Sequence, residues 1–334
     1  MTPTCAEERA VLQSVIYASL FDYPLTLAQL RESLVEVAAD EASIAAWCRT
    51  SALLQATVEY RDHLYFPAGR GDLVETRARR EALSRELLHR HSPVLQFVAH
   101  MPFVRMVALS GSLAHLNADP AADVDLFVIT AAKRVWLVTV AVLLVAKVLG
   151  WRRRLCLNYV ISERQMAITP TDLFTANQII HLLPLAGHST YRRFLNANAF
   201  VSRWYPNFVP RDQGSGIGDR GSGIRDQGSG IGDQGSLTLE RVLSYGVAQV
   251  AERVCRAVYR WHLRRRSASW QSSDQVRLED ECLKLHTSSH RAETMARFEA
   301  AMAGAEMRPP GTRTRVTPST DQDTTASVNT RKQA

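Results

Sequence analysis

The stretch "VRMVALSGSLAHLNADPAADVDLFVIT", residues 104–130, decides how this chain is read. An apolar run leads into Gly111-Ser112, and two aspartates, Asp123 and Asp125, then enter a second apolar run. The segment VRMVALS predicts a strand ending at the Gly-Ser turn, and SLAHLNA after it is long enough for one or two helical turns. Where a strand feeds a helix, unpaired backbone N–H groups suit a phosphate, and glycine lets a ligand approach the backbone closely. Side chains alternate along a strand, so Asp123 and Asp125 share one face while Val124 takes the other. Two adjacent carboxylates repel each other unless a cation lies between them, and together they form a pair of hard oxygen ligands. Leu126 to Ile129 are apolar on both faces, which predicts a central, covered strand with its acids at the rim of a cleft.

Upstream, Val11, Leu12, Val15, Ile16 and Leu20 recur at helical spacing, and "DYPLTLAQL" supplies a turn and a fresh helix start. A third helix is predicted over 40–54, followed by a short hairpin around "RDH", so residues 1–70 outline a winged-helix-like module. Its third helix carries Asp40 and Glu41 with Arg49 as its one cation, poor equipment for phosphates, which favours a structural or protein-contact role over direct DNA contact. A charged helix over 71–101 links this module to a second one over 102–208, and its charges read as a solvated face. Downstream, a Gly-Ser-Gly-Ile repeat makes 209–236 a flexible linker. Residues 237–303 read as a helical segment with Val242, Val247, Val250, Val254 and Val258 near one face and a basic end. That segment is suited to packing on the core, binding a partner or lying on a membrane surface, with packing the default. The polar stretch 304–334 is expected to be disordered.

The chain has 334 residues, 46% of them hydrophobic, enough for a sizeable core and more than one module. A net charge of +7 gives only a weak pointer to an anionic partner, because several arginines fall in short local clusters. Five scattered cysteines without a C-x-x-C pair suit a reduced interior, and none looks like a zinc ligand. The start "MTPTCAEERAVLQ" lacks a basic stretch followed by an apolar core, so a cytoplasmic location is expected. The run 135–151 contains Lys147 and falls short of the roughly 20 uninterrupted apolar residues of a spanning helix, so no transmembrane segment is expected and a buried helix is predicted.

Gly111-Ser112, ten intervening residues and then Asp123-Val124-Asp125-Leu126 resemble the signature of the DNA polymerase beta-like nucleotidyltransferase superfamily, especially its minimal bacterial members. Their pattern is G-S-x-A-R-G, a loop, then S-D-x-D-L; Ala114 matches it, while His115, Leu116 and Ala122 depart from it. The resemblance implies an α+β fold with a short mixed sheet and helices as its core. It implies transfer of a nucleoside monophosphate from an NTP to a hydroxyl, on a small molecule, a protein or a nucleic-acid end, with Mg²⁺ or Mn²⁺. Asp123 and Asp125 would hold the metal and carry catalysis, and Gly111 and Ser112 would bind the nucleotide's phosphates. Family members add a third carboxylate from a later strand; the strand expected there, "RLCLNYVISE", offers Asn158 at its centre and Glu163 at its far end. An amide carbonyl at Asn158 can join a metal site without adding negative charge. A second reading follows, in which the domain is catalytically degenerate and binds nucleotide or DNA in a regulatory role. Lys133 and Arg134 read as a solvated turn, His115 as a local helix residue, and His181 and His188 carry no assigned role.

Overall fold

The computed structural model describes residues 5–152, 154–210, 245–265, 276–285 and 291–306. The Gly-Ser-Gly-Ile repeat, Val242 and the polar stretch beyond 306 lie outside the described residues. The N-terminal module consists of α1 (Ala6–Ser19), α2 (Leu27–Glu32), α3 (Glu41–Thr50), α4 (Ala52–Thr57) and a hairpin of β1 (Val58–Arg61) and β2 (Leu64–Pro67). Thr26 starts α2 with a reciprocal cap: its hydroxyl accepts from the Gln29 N–H while the Gln29 side chain accepts from the Thr26 N–H. The helix expected over 40–54 is two helices, because the Ser51 hydroxyl accepts from the Leu54 N–H and caps α4 where α3 ends. The hairpin turns on Asp62 and His63, both at positive φ (51° and 64°), as a tight turn between twisted strands requires.

The 28-residue α5 (Asp72–Ala99) leads into the sheet-bearing part. In chain order this comprises β3 (Val104–Ser110), α6 (Gly111–Ala114), β4 (Val124–Thr130), α7 (Val135–Val148), β5 (Leu155–Ser162), α8 (Leu173–Ile180), β6 (Leu183–Ala186), α9 (His188–Ala197) and α10 (Val201–Trp204). It continues with α11 (Tyr245–Arg265), β7 (Val276–Leu278), β8 (Cys282–Leu285) and α12 (Arg291–Glu306). The fold is therefore mixed α+β, with a six-stranded sheet in the order β6-β3-β4-β5-β8-β7. Only β4 and β5 run parallel, joined by the crossover helix α7; the other neighbours are antiparallel. Residues 237–303, read as helical, thus also contribute β7 and β8 to the sheet edge.

Both faces of the sheet are covered, which is why β3 and β4 read as continuous apolar runs. Met106, Ala108, Phe127, Ile129 and Ile161 point into one core shared with α1, α2, α8, α9 and α12. Val107, Leu109, Leu126, Val128 and Val160 point into a second, with α7 and the C-terminal half of α5. Most of the N-terminal module belongs to the first core, where the Tyr17 and Phe298 rings meet edge to face at 5.3 Å. Its position over the sheet is therefore held by apolar packing.

Candidate functional site

Asp125 stands on the first-core face at the start of β4, directly across from Ser110, the last residue of β3. The chain then turns at Gly111 with φ +66°, and a Cβ built at Gly111 would run into the Asp125 carboxylate. Two requirements therefore select glycine here, a left-handed backbone and room for the carboxylate. The helix after it, α6, is a single turn, so a helix dipole contributes little at this corner. Asp123 precedes the strand and is exposed, close enough for its charge to act on Asp125, which is half-buried.

Asn158 reaches the same point from β5. The ladder between β4 and β5 shifts register between Leu126/Leu157 and Phe127/Tyr159, leaving Asn158 as the extra residue of a bulge. Its Nδ2 donates to Asp125 Oδ1 at 2.6 Å, while its Oδ1 accepts from the Cys156 thiol at 2.9 Å. Asn158 is thus placed as a hydrogen-bond donor that orients Asp125, with its carbonyl turned to the thiol.

Burial pushes the Asp125 carboxyl up to about 6; the Asp123 charge adds to this and the Asn158 hydrogen bond opposes it. Burial, with both aspartate charges, likewise pushes the Cys156 thiol up to about 12, so it stays neutral. No cation pairs with Asp123 or Asp125 among the described residues. Two carboxylate donors, one of them half-buried and uncompensated, fit one hard divalent ion. No group of three or more His, Cys, Asp or Glu suited to a metal occurs among the described residues, and Glu163 lies at the other end of β5. Lys133 and Arg134 also sit past the far end of β4, a seven-residue strand on the order of 20 Å long. Arg134 is buried, its guanidinium 5.1 Å from the Phe103 ring centroid, so it is a packing residue and not the solvated turn that was expected.

From Gly111 and Ser112 a cavity of about 380 Å³ opens between the N-terminal module and α8. Tyr17, Asp22, Tyr23, Arg80, His115, His181 and Tyr205 are among its walls. The His115 and His181 rings are 4.0 Å apart between centroids, and Asn177 Nδ2 donates to the Tyr205 hydroxyl at 3.1 Å. The buried Tyr17 hydroxyl has no hydrogen-bond partner among the described residues, and burial raises its pKa, keeping it a neutral donor. Arg80 donates to Asp22, to the Phe21 carbonyl and to Asn117 Oδ1, fastening the loop after α6 to the N-terminal module and α5.

No protein-family model, curated protein or solved structure matches the chain.

The motif residues Gly111, Ser112, Asp123 and Asp125 are brought together at one corner of the sheet, with Asn158 beside them. The cavity is assembled from residues 14–35, 80, 111–119, 177–181 and 205, a set with no spacing that marks it in sequence. The neutral reading of His115 and His181 missed their meeting there. The only available signal was Asp22-Tyr23, a polar pair in the turn between two helices.

Proposed function

We propose that the chain is a nucleotidyltransferase with a polymerase beta-like core and a winged-helix-like N-terminal module. The observation that carries this reading is the packing of Gly111 against Asp125: a left-handed glycine turn set against an acidic pair at one sheet corner, with Gly111 and Ser112 also lining the adjoining cavity. Leu116 adds support. It adopts φ +56°, a backbone glycine favours, at the position where the minimal family pattern carries its second glycine.

In the reaction, an acceptor hydroxyl oxygen forms a bond to the α-phosphorus of an NTP and gives up its proton to water, the bridging P–O bond to the β-phosphate breaks, and pyrophosphate leaves. Mg²⁺ or Mn²⁺ held by Asp123 and Asp125 would supply charge neutralisation on the phosphates. Gly111 leaves the backbone open to the phosphates and the Ser112 hydroxyl donates to them. Asn158 holds the Asp125 carboxylate in one orientation. The adjoining cavity admits a small polar substrate, with the Tyr17 hydroxyl as a buried donor in its lining. The acceptor is a small molecule, a protein or a nucleic-acid end bearing a hydroxyl.

A specific observation favours the second reading as well. The resemblance would put a third carboxylate on β5, where this chain has Asn158, which donates to Asp125 and adds no charge, so two carboxylates would hold one metal ion and not a second. A degenerate domain that binds nucleotide or DNA in a regulatory role would have this arrangement. Pyrophosphate release from each NTP with Mg²⁺ distinguishes the two: an enzyme releases it and loses the activity in Asp125→Ala. If nucleotide binds with Mg²⁺ and no release occurs with any acceptor class, the regulatory reading stands. If nucleotide does not bind, the transferase reading fails, and if DNA does not bind either, both fail.

A further inference from the structure

Helix α11 is apolar on two opposite sides. Its inner side sets Ala248, Cys255, Tyr259 and Leu263 against the second core. Glu252, also on that side, accepts from the N–H groups of Trp136 and Leu137 at 3.1 and 2.7 Å, capping α7, which has no side-chain cap of its own. This cross-cap fixes which side of α11 faces inward. The valines that suggested core packing lie on the other side: Val247, Val250, Val254, Val258 and Trp261 are each more than half exposed, at 60, 59, 55, 60 and 54%. Their spacing of three and four residues makes one continuous stripe along the helix.

Arg253, Arg260 and Arg264 fall along one edge of this stripe at the 3.6-residue period, and Arg265 lies over the Trp261 ring at 3.9 Å. The helix has one acid, Glu252, which is buried in the cap, so the charge shown beside the stripe is basic. A stripe of valines ending in tryptophan, edged by arginines, matches a surface that lies in the plane of an anionic bilayer. The valines enter the acyl boundary, Trp261 sits at headgroup level and the guanidiniums meet phosphates. A second copy is the weaker occupant, because two such helices would set arginine against arginine. No helix among the described residues is long and apolar enough to cross a membrane, so the contact is superficial. The geometry points to α11 as an in-plane docking helix for an anionic membrane surface, independently of the chemistry at Asp125.

Co-sedimentation of the full chain with vesicles of phosphatidylcholine alone, or of an equimolar mixture with phosphatidylserine, tests this. The chain is expected to pellet with the anionic vesicles, to be released by high salt, and to show a blue shift in tryptophan emission that Trp261→Phe removes. Val254→Asp with Val258→Asp changes only exposed positions and is expected to cut binding at least tenfold. Arg253→Gln and Arg264→Gln are each expected to weaken binding to anionic vesicles about fivefold. The proposal is overturned if the chain does not pellet with anionic vesicles, or if Trp261→Phe keeps the blue shift. It is also overturned if the two aspartates leave binding unchanged, or if they convert a stable dimer into a monomer, which would show a second copy on the stripe.

Discussion

Replacing Asp125 by asparagine should make the metal-free protein more stable while abolishing the proposed nucleotidyl transfer. The carboxyl is raised from its ordinary 3.8 to about 6, burial being the main cause. That gap corresponds to about 3 kcal/mol, and relaxation around the ionised group brings the realised figure to between about 1 and 3 kcal/mol. The folded value lies above the unfolded one, so the native state favours the protonated form. The associated stability is fully present below about pH 4 and is lost as pH rises through about 6. Asparagine mimics the neutral carboxyl at every pH and keeps an acceptor for Asn158 Nδ2. Urea unfolding in EDTA at pH 4, 6 and 8 measures the effect: Asp125→Asn should match the parent protein at pH 4 and exceed it by about 1 to 3 kcal/mol at pH 8. Mg²⁺ should then stabilise the parent protein and leave the variant unchanged, since its carboxylate is gone. A difference that is independent of pH, or a variant less stable at pH 8, would refute the claim that Asp125 is held as an uncompensated buried charge.

Four further substitutions follow, two at the same corner, one at the cavity wall and one as an exposed control. Asn158→Asp removes the donor to Asp125 and sets two carboxylates together, so the metal-free protein should lose about 2 to 3 kcal/mol at pH 8 and recover most of it in Mg²⁺; thermal melts with and without the ion decide this. Gly111→Ala forces a Cβ into the Asp125 carboxylate at a left-handed backbone position and should cost about 1 to 3 kcal/mol, with loss of nucleotide binding in calorimetry; an unchanged melting curve would contradict the close approach. Arg80→Met removes the bonds to Asp22, the Phe21 carbonyl and Asn117 and should lower stability by about 1 to 2 kcal/mol in urea, while Arg85→Met, on an exposed i,i+4 pair, should change it by less than about 0.5 kcal/mol.

Local patterns made β3, β4 and the Gly111 turn legible, because a covered strand, a left-handed turn and a same-face acidic pair each leave a short-range trace. The N-terminal helices and hairpin were legible for the same reason, except that Ser51 broke the third helix, a capping choice hidden inside an otherwise helical pattern. Asn158 was placed on the right strand by its position in "LCLNYVIS", but its role was not, since it depends on a bulge that no residue type announces. The cavity was illegible apart from the Asp22-Tyr23 pair, being walled by segments far apart in the chain.

The orientation of α11 shows the division most sharply. Its periodicity established that one side is valine-rich and that its end is basic, because 3.6-residue spacing is a property of the chain itself. Which side faces inward was decided by partners elsewhere: the uncapped start of α7 needed an acceptor, Glu252 supplied it, and the valine stripe was left outside. The sequence by itself determined the strands, the turns and the acids that meet at Gly111. The tertiary structure alone decided what surrounds them, because burial, register and cross-capping depend on contacts between segments that the local pattern does not encode.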